Sequence, residues 1–315
     1  MTVSSESMTS ERLTPSTARV PRLRDVLRQH LHGIGFSLRV PMVIAVVLAV
    51  IATIVLAIQT ASGDVRSNLH TRPSALPGVI GALLAIAVWA REERFGPGFL
   101  WTLPVDRSRH ALIKVLAGWL WLMVGVAFYA VCQAVLALLS GGGLLPVETL
   151  NLLTTELPRS TPVDPASLQR VQWAPGPLIW AVPFGAATAP YLLASAFMLG
   201  VRHPLRWAVG LVLLFPASSL VSHVASRLSG VQWLADAPER GLVQLLEGRY
   251  GLDSLLKLRT WTLDRRARLS TGEGIEVWSG VPDLADWRTA ALLWIGAGLL
   301  ALWFAASRHR ERRHA

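Results

Sequence analysis

Residues 111–139 read ALIKVLAGWLWLMVGVAFYAVCQAVLALL, an apolar run whose single charge, Lys114, sits near its start. A helix of about 20 predominantly apolar residues crosses the hydrocarbon core of a bilayer, and a helix that is apolar all round belongs in a membrane or a large core. Five further blocks of the same character flank this one, at about 40–61, 74–90, 178–201, 205–225 and 287–306. The block at 74–90 is short and that at 111–139 long, so tilt or local adjustment is expected of both. The whole chain is 52% hydrophobic and 16% charged, against roughly 45–50% and about 25% in soluble domains. The expected fold class is an all-α integral membrane protein with about six transmembrane helices.

A formal charge of +10 raises the question of nucleic-acid binding, and the placement of the basic residues answers it. Arg22, Arg24, Arg28 and Arg39 precede the first span, and Arg91, Arg94, Arg107, Arg109 and Lys114 lie around the second connection. Arg202 and Arg206 fill the turn between the fourth and fifth spans, and Arg308, Arg310, Arg312 and Arg313 follow the sixth. The opposite connections are sparser, with Arg66 and Arg72 in one and Arg159 and Arg170 in another. Short basic connections stay in the cytoplasm, so both termini are expected there, in a multi-pass protein of the cytoplasmic (inner) membrane. No nucleic-acid partner is expected, because the basic residues flank apolar blocks rather than forming a soluble surface.

Four regions complete the organisation. Residues 1–19 are rich in Ser and Thr, lack the basic start and apolar core of a secretory signal, and read as a disordered cytoplasmic tail. Over 20–39, Val20, Leu23, Leu27, Leu31, Ile34 and Leu38 recur at helical steps between arginines, which predicts an amphipathic interfacial helix. Gly33 and Gly35 are expected to mark its exit into the membrane. Residues 40–306 then form the six-helix domain, and 307–315 a basic cytoplasmic tail. Between the fifth and sixth spans, 226–286 balances its basic residues with Asp236, Glu239, Glu247, Asp253 and Asp264, and is placed outside as a helical extracytoplasmic segment. Its leucines over 241–258 fit either amphipathic helices on the outer face or an ordinary capping subdomain.

Catalytic and metal chemistry find little to work with. Cys132 is the only cysteine, so no disulfide framework or thiolate cluster can form within one chain. The eight histidines are scattered, six of them (His30, His32, His110, His203, His309 and His314) beside cytoplasmic membrane edges, with no HExxH spacing. His223 lies near Ser219 and Ser222, but no GxSxG elbow presents a nucleophile. No catalytic, cofactor-binding or metal-binding residues are assigned, and the chain is not expected to be an enzyme. Asp and Glu are missing from the middle of every span, which disfavours an ion-coupled pump. Gln59, Gln133 and Thr188 are the polar residues expected within spans, as bonds between helices. Pro183, Pro190 and Pro216 interrupt the fourth and fifth spans, where kinks are expected.

The most informative stretch outside the spans is 91–110, REERFGPGFLWTLPVDRSRH, running on to Lys114 and Gly118. Charges, a glycine break, a short apolar helix ending at Leu-Pro and a basic entry into a span describe a surface helix tied between two membrane helices. Such an element can pass on a push from a soluble partner. The stretch resembles the loop between the second and third spans of ABC-2 type permeases. That family shows Glu and basic residues, then Gly-Thr, an apolar helix, Leu-Pro-Val-Ser-Arg and a Lys-x-x-x-Gly entering the next span. Glu92, Glu93, Gly96, Leu103, Pro104, Val105, Arg107, Lys114 and Gly118 match. Pro97 stands where Thr is usual, Asp106 where Ser is usual, and the glycine-to-proline spacing is about one residue short. The six spans, the amphipathic entry helix and the enlarged segment after the fifth span extend the resemblance over most of the chain.

The resemblance implies the membrane-spanning permease of an ABC transporter, exporting or extruding a hydrophobic or amphipathic substrate. It implies two separate ABC ATPase subunits that bind ATP and Mg, a second permease subunit, identical or homologous, and dimerisation through the first and fifth spans. No cofactor is expected on this chain itself. It lacks GxxxxGK[ST], and Leu228-Ser229-Gly230-Val231-Gln232 is a chance likeness to an ATPase signature. The ATPase-coupling interface is assigned to Glu92, Glu93, Arg94, Phe95, Phe99, Leu100, Trp101, Asp106, Arg107 and Arg109. Its aromatics form an apolar face within a charged rim, the other role open to them being headgroup anchoring. A membrane scaffold or sensor that moves nothing is the alternative function.

Overall fold

The computed structural model describes residues 23–61, 75–89, 107–139, 143–145, 147–153, 164–201, 248–258, 263–268 and 274–311, with single positions or short pieces between 203 and 246. The described chain is mostly helical. Helices α1 (Leu23–Ala61), α2 (Leu76–Trp89) and α3 (Arg107–Leu139) are followed by strands β1 (Glu148–Leu153) and β2 (Leu168–Trp173). Then come α4 (Val182–Gly200), the short α5 (Leu252–Lys257), strands β3 (Leu263–Arg268) and β4 (Gly274–Trp278), and α6 (Leu284–Glu311). Three of the described helical stretches are long and apolar enough to cross a membrane, Ser108–Leu139, Pro177–Gly200 and Leu284–Ser307, and Leu76–Trp89 is a shorter apolar helix. Most of the expected fifth span, at 205–225, lies outside the described residues.

Side-chain matches fix the directions of the helices. Gly78 lies against Ala186 and Leu256, Gly81 against Ala187, and Val88 beside Gly118 and Tyr191, so α2 runs parallel to α4. A Cβ on Gly185 would stand 2.9 Å from the Trp287 ring and one on Gly298 2.8 Å from Leu192 Cβ, so α6 also runs parallel to α4. Helix α3 is antiparallel: Tyr191 meets Val115 and Thr188 meets Trp119. Between lipid-solvated helices apolar burial gives little drive, and close approach over small residues takes its place. Gly81 supplies that approach by letting α2 lie on the α4 backbone. Pro190, inside α4, denies the Ala186 carbonyl its intrahelical donor. That oxygen lies 3.2 Å from where a Gly78 Cβ would stand, so α2 covers the break.

The strands correct the all-α expectation. They form one sheet in the order β2-β1-β4-β3. Strands β1 and β2 pair antiparallel from Glu148↔Trp173 to Leu153↔Leu168, and β3 and β4 pair antiparallel. Between these two hairpins β1 and β4 run parallel, Asn151 opposite Val277 and Leu152 opposite Trp278. The 226–286 segment is therefore not wholly helical, and it shares its sheet with the connection after α3. The sheet sits where α3 ends and where α4 and α6 begin.

Tryptophans fasten this cap to the helices. Indole N–H groups donate from Trp173 to the Pro282 carbonyl (2.9 Å), Trp287 to Leu255 (3.2 Å), Trp180 to Leu144 (3.1 Å) and Trp294 to Tyr250 (2.9 Å). Leu150, Trp173, Leu255, Trp278 and Trp287 are buried together there with Val182 and Ala290. Leu255 is fully buried, so helix α5 packs inward as part of a capping subdomain. The Asp283 carboxylate accepts from the Ala285 N–H at 2.8 Å and caps α6. At the rim, the Arg249 guanidinium donates to Asp286 at 2.9 Å, which holds its charge even more firmly than usual. Being exposed, that pair orients more than it stabilises.

Helix α1 spans 39 residues without a break. Neither of the glycines expected to end its interfacial part breaks it: Gly33 faces open space, and Gly35 serves packing against the Trp121 ring, a Cβ there falling 2.6 Å from ring atom Cζ2. The same indole donates to the Leu31 carbonyl at 3.0 Å. Beyond that contact Val40, Val43, Val47, Val50, Ile54 and Ile58 all face outward. Leu292, Leu300 and Trp303 on α6 do the same. Outward apolar faces of this extent mark a lipid or partner-covered surface.

Candidate coupling end of the bundle

Away from the sheet, the end of α2, the start of α3 and the start of α1 come together. Ile34, Val88, Trp89, Ala111, Val115, Leu122 and Tyr191 belong to one buried cluster there. Lys114 is only 9% exposed, and its ammonium Nζ lies 4.8 Å from the centroid of the Trp89 ring. A cation over an indole face gains on the order of 0.5–2 kcal/mol, more as water is excluded, which fits a lysine about two turns into an apolar helix. One turn further, the Tyr191 phenol from α4 donates to the Val115 carbonyl at 2.8 Å and occupies the space beside Gly118. The Lys-x-x-x-Gly spacing thus ties α2, α3 and α4 at a single level.

Two more contacts brace this end. Trp119 donates to the Thr188 hydroxyl at 3.2 Å, and that hydroxyl donates to the Phe184 carbonyl at 2.7 Å. Thr188 is therefore the interhelical bond that its position in a span predicts. His30 of α1 and His110 of α3 meet edge to face, ring centroids 4.6 Å apart. Nothing in the spacing of these two histidines along the chain signals this pairing, since they are brought together only by the crossing of α1 and α3. Among the described residues no group of three or more His, Cys, Asp or Glu is placed to hold a metal ion.

Of the residues assigned to the coupling interface, Glu92, Glu93, Arg94, Phe95, Phe99, Leu100, Trp101 and Asp106 lie outside the described residues. Arg107 begins α3, and Arg109 is exposed in its first turn. The structure thus fixes the two attachment points of the 90–106 connection, Trp89 and Arg107, at the end opposite the sheet. Sequence reasoning missed Trp89, Tyr191 and the tryptophan clamps of the cap; the abundance of tryptophan, 13 in the chain, was the available signal for the clamps. The chain matches no family model, no curated protein and no solved structure.

Proposed function

We propose that this chain is the permease subunit of an ABC transporter, forming with a second, identical or homologous permease the path for a hydrophobic or amphipathic substrate. In this reading six spans cross the inner membrane, both termini and the 90–106 connection face the cytoplasm, and the sheet caps the other side. Two separate ATPase subunits supply the energy from ATP and Mg. The observation that supports it most is the opposed directions of the helices. Because α2, α4 and α6 start at the sheet and α3 ends there, the connection carrying Glu92 to Asp106 is attached at the far end, beside the arginine-flanked start of α1. A soluble motor docking at that connection would push on Trp89 and Arg107, and through Lys114 and Gly118 on α4.

The test is Glu93→Arg combined with Arg94→Glu. The double variant should insert in the membrane normally, yet lose its ATPase on purification or hydrolyse ATP without transport in vesicles, since rim charges guide encounter and orientation. Normal ATPase binding and normal transport by the variant would remove the docking assignment. Purification of the wild-type chain with no ATPase and no ATP-dependent transport would favour the scaffold or sensor.

A further inference from the structure

The starts of α1 and α3 leave between them an open groove of about 410 Å³, floored by Leu23, Leu27, Leu112, Ile113 and Leu116, with Ser108 and Arg109 completing its lining. We propose that this groove holds one acyl chain of an anionic phospholipid, whose phosphate pairs with the Arg109 guanidinium. The inference rests on the membrane placement of α1 and α3 and needs no ATPase, and it gives Arg109 a lipid partner in place of the coupling role that the family resemblance implies.

Three observations carry it. The floor is aliphatic and open: Leu23 is 51% exposed, Leu112 43% and Leu116 44%. A free small anion has no use for such a floor, whereas an acyl chain covers it. The volume lies within the few hundred Å³ of small-ligand sites, and a protein–protein contact buries roughly 800 Å² on each partner, more than a furrow of this size presents. The charge is complementary. Over 23–39 and 107–116 the basic residues are Arg24, Arg28, Arg39, Arg107, Arg109 and Lys114, and the only acid is Asp25. Lys114 is turned to the Trp89 ring, which leaves Arg109 as the described cation in the groove lining. Lipids with anionic headgroups are drawn to basic clusters beside membrane helices, and the groove adds a fixed place for the chain below the headgroup.

The test uses the full chain in phosphatidylcholine nanodiscs containing a little phosphatidylglycerol with a photoreactive group in its acyl chain, and maps the labelled peptides by mass spectrometry. Labelling should concentrate on residues 23–27 and 109–116 and be competed by unlabelled phosphatidylglycerol but not by phosphatidylcholine. Arg109→Gln should weaken that preference on the order of fivefold, the worth of one basic residue near a charged surface. Leu112→Trp should fill the groove and abolish the focused label, and Arg109, being exposed, offers a variant that leaves packing intact. Label spread evenly over the outward faces of α3 and α6, equal competition by both lipids, or a crosslink from the groove to residues 95–101 of the same chain would each overturn the proposal.

Discussion

At Gly118 the helix gives up its side chain so that the phenol of Tyr191 can reach the Val115 carbonyl. Two substitutions separate space from bonding. Gly118→Val must push either the phenol or Val88 aside and should cost about 1–3 kcal/mol, the usual penalty for overpacking. Tyr191→Phe keeps the ring and loses one bond, worth about 0.6 kcal/mol on average between membrane helices. Thermal unfolding of the purified protein in detergent would show the larger drop for the glycine variant, and equal midpoints for both would mean that this close approach is not a packing constraint. The Lys-x-x-x-Gly spacing could be read in the sequence, but what it serves could not. Tyr191 lies 76 positions from the carbonyl it binds, and local spacing carries no record of so distant a partner. Asp106, which departs from the family outline, is at least of a residue type favoured immediately before a helix, and α3 begins at the next position.

Among the elements, the helices were legible because an apolar run of membrane length can bury itself only in a bilayer or a large core. The sheet was not. Strand β3 reads LDRRAR, with charge where alternation is sought, and the leucines before it have helical spacing. What makes these short segments strands is pairing: β1 gains one partner from its own hairpin and another from residues 274–278, far along the chain. Asn151→Cys with Val277→Cys tests that pairing in a chain whose Cys132 is replaced by Ala. Paired positions fall within the Cα separation of about 4.4–6.8 Å that a disulfide requires. If the sheet lies outside the cytoplasm, as proposed, the bridge should form in growing cells without added oxidant, and a shift on non-reducing gels would show it. A bridge formed only after lysis and oxidation would place the sheet in the cytoplasm, and no bridge under any condition would contradict the register. Helix α1 differs from expectation for a related reason. Glycine lowers intrinsic helix preference, yet at position 35 the Trp121 ring rewards its absence of side chain, and the helix runs on.

For the molecule as a whole, the directions of α2, α3, α4 and α6 are tied to one another, and a single measured orientation would fix the rest. A reporter inserted within residues 241–249 should be found outside the cytoplasm and one at the C-terminus inside it. If both prove cytoplasmic, the proposed span count or order is wrong. The parallel pairing of β1 with β4 also bears on how the protein comes into being. Synthesis proceeds from the N-terminus, so the β1–β2 hairpin emerges while β4 and α6 do not yet exist. Until residue 278 has been made, β1 has an open edge, and an open edge is a template for the wrong neighbour. The nascent chain must therefore wait with its cap half closed, and a ribosome stalled between the two hairpins would strand it with that edge unpaired.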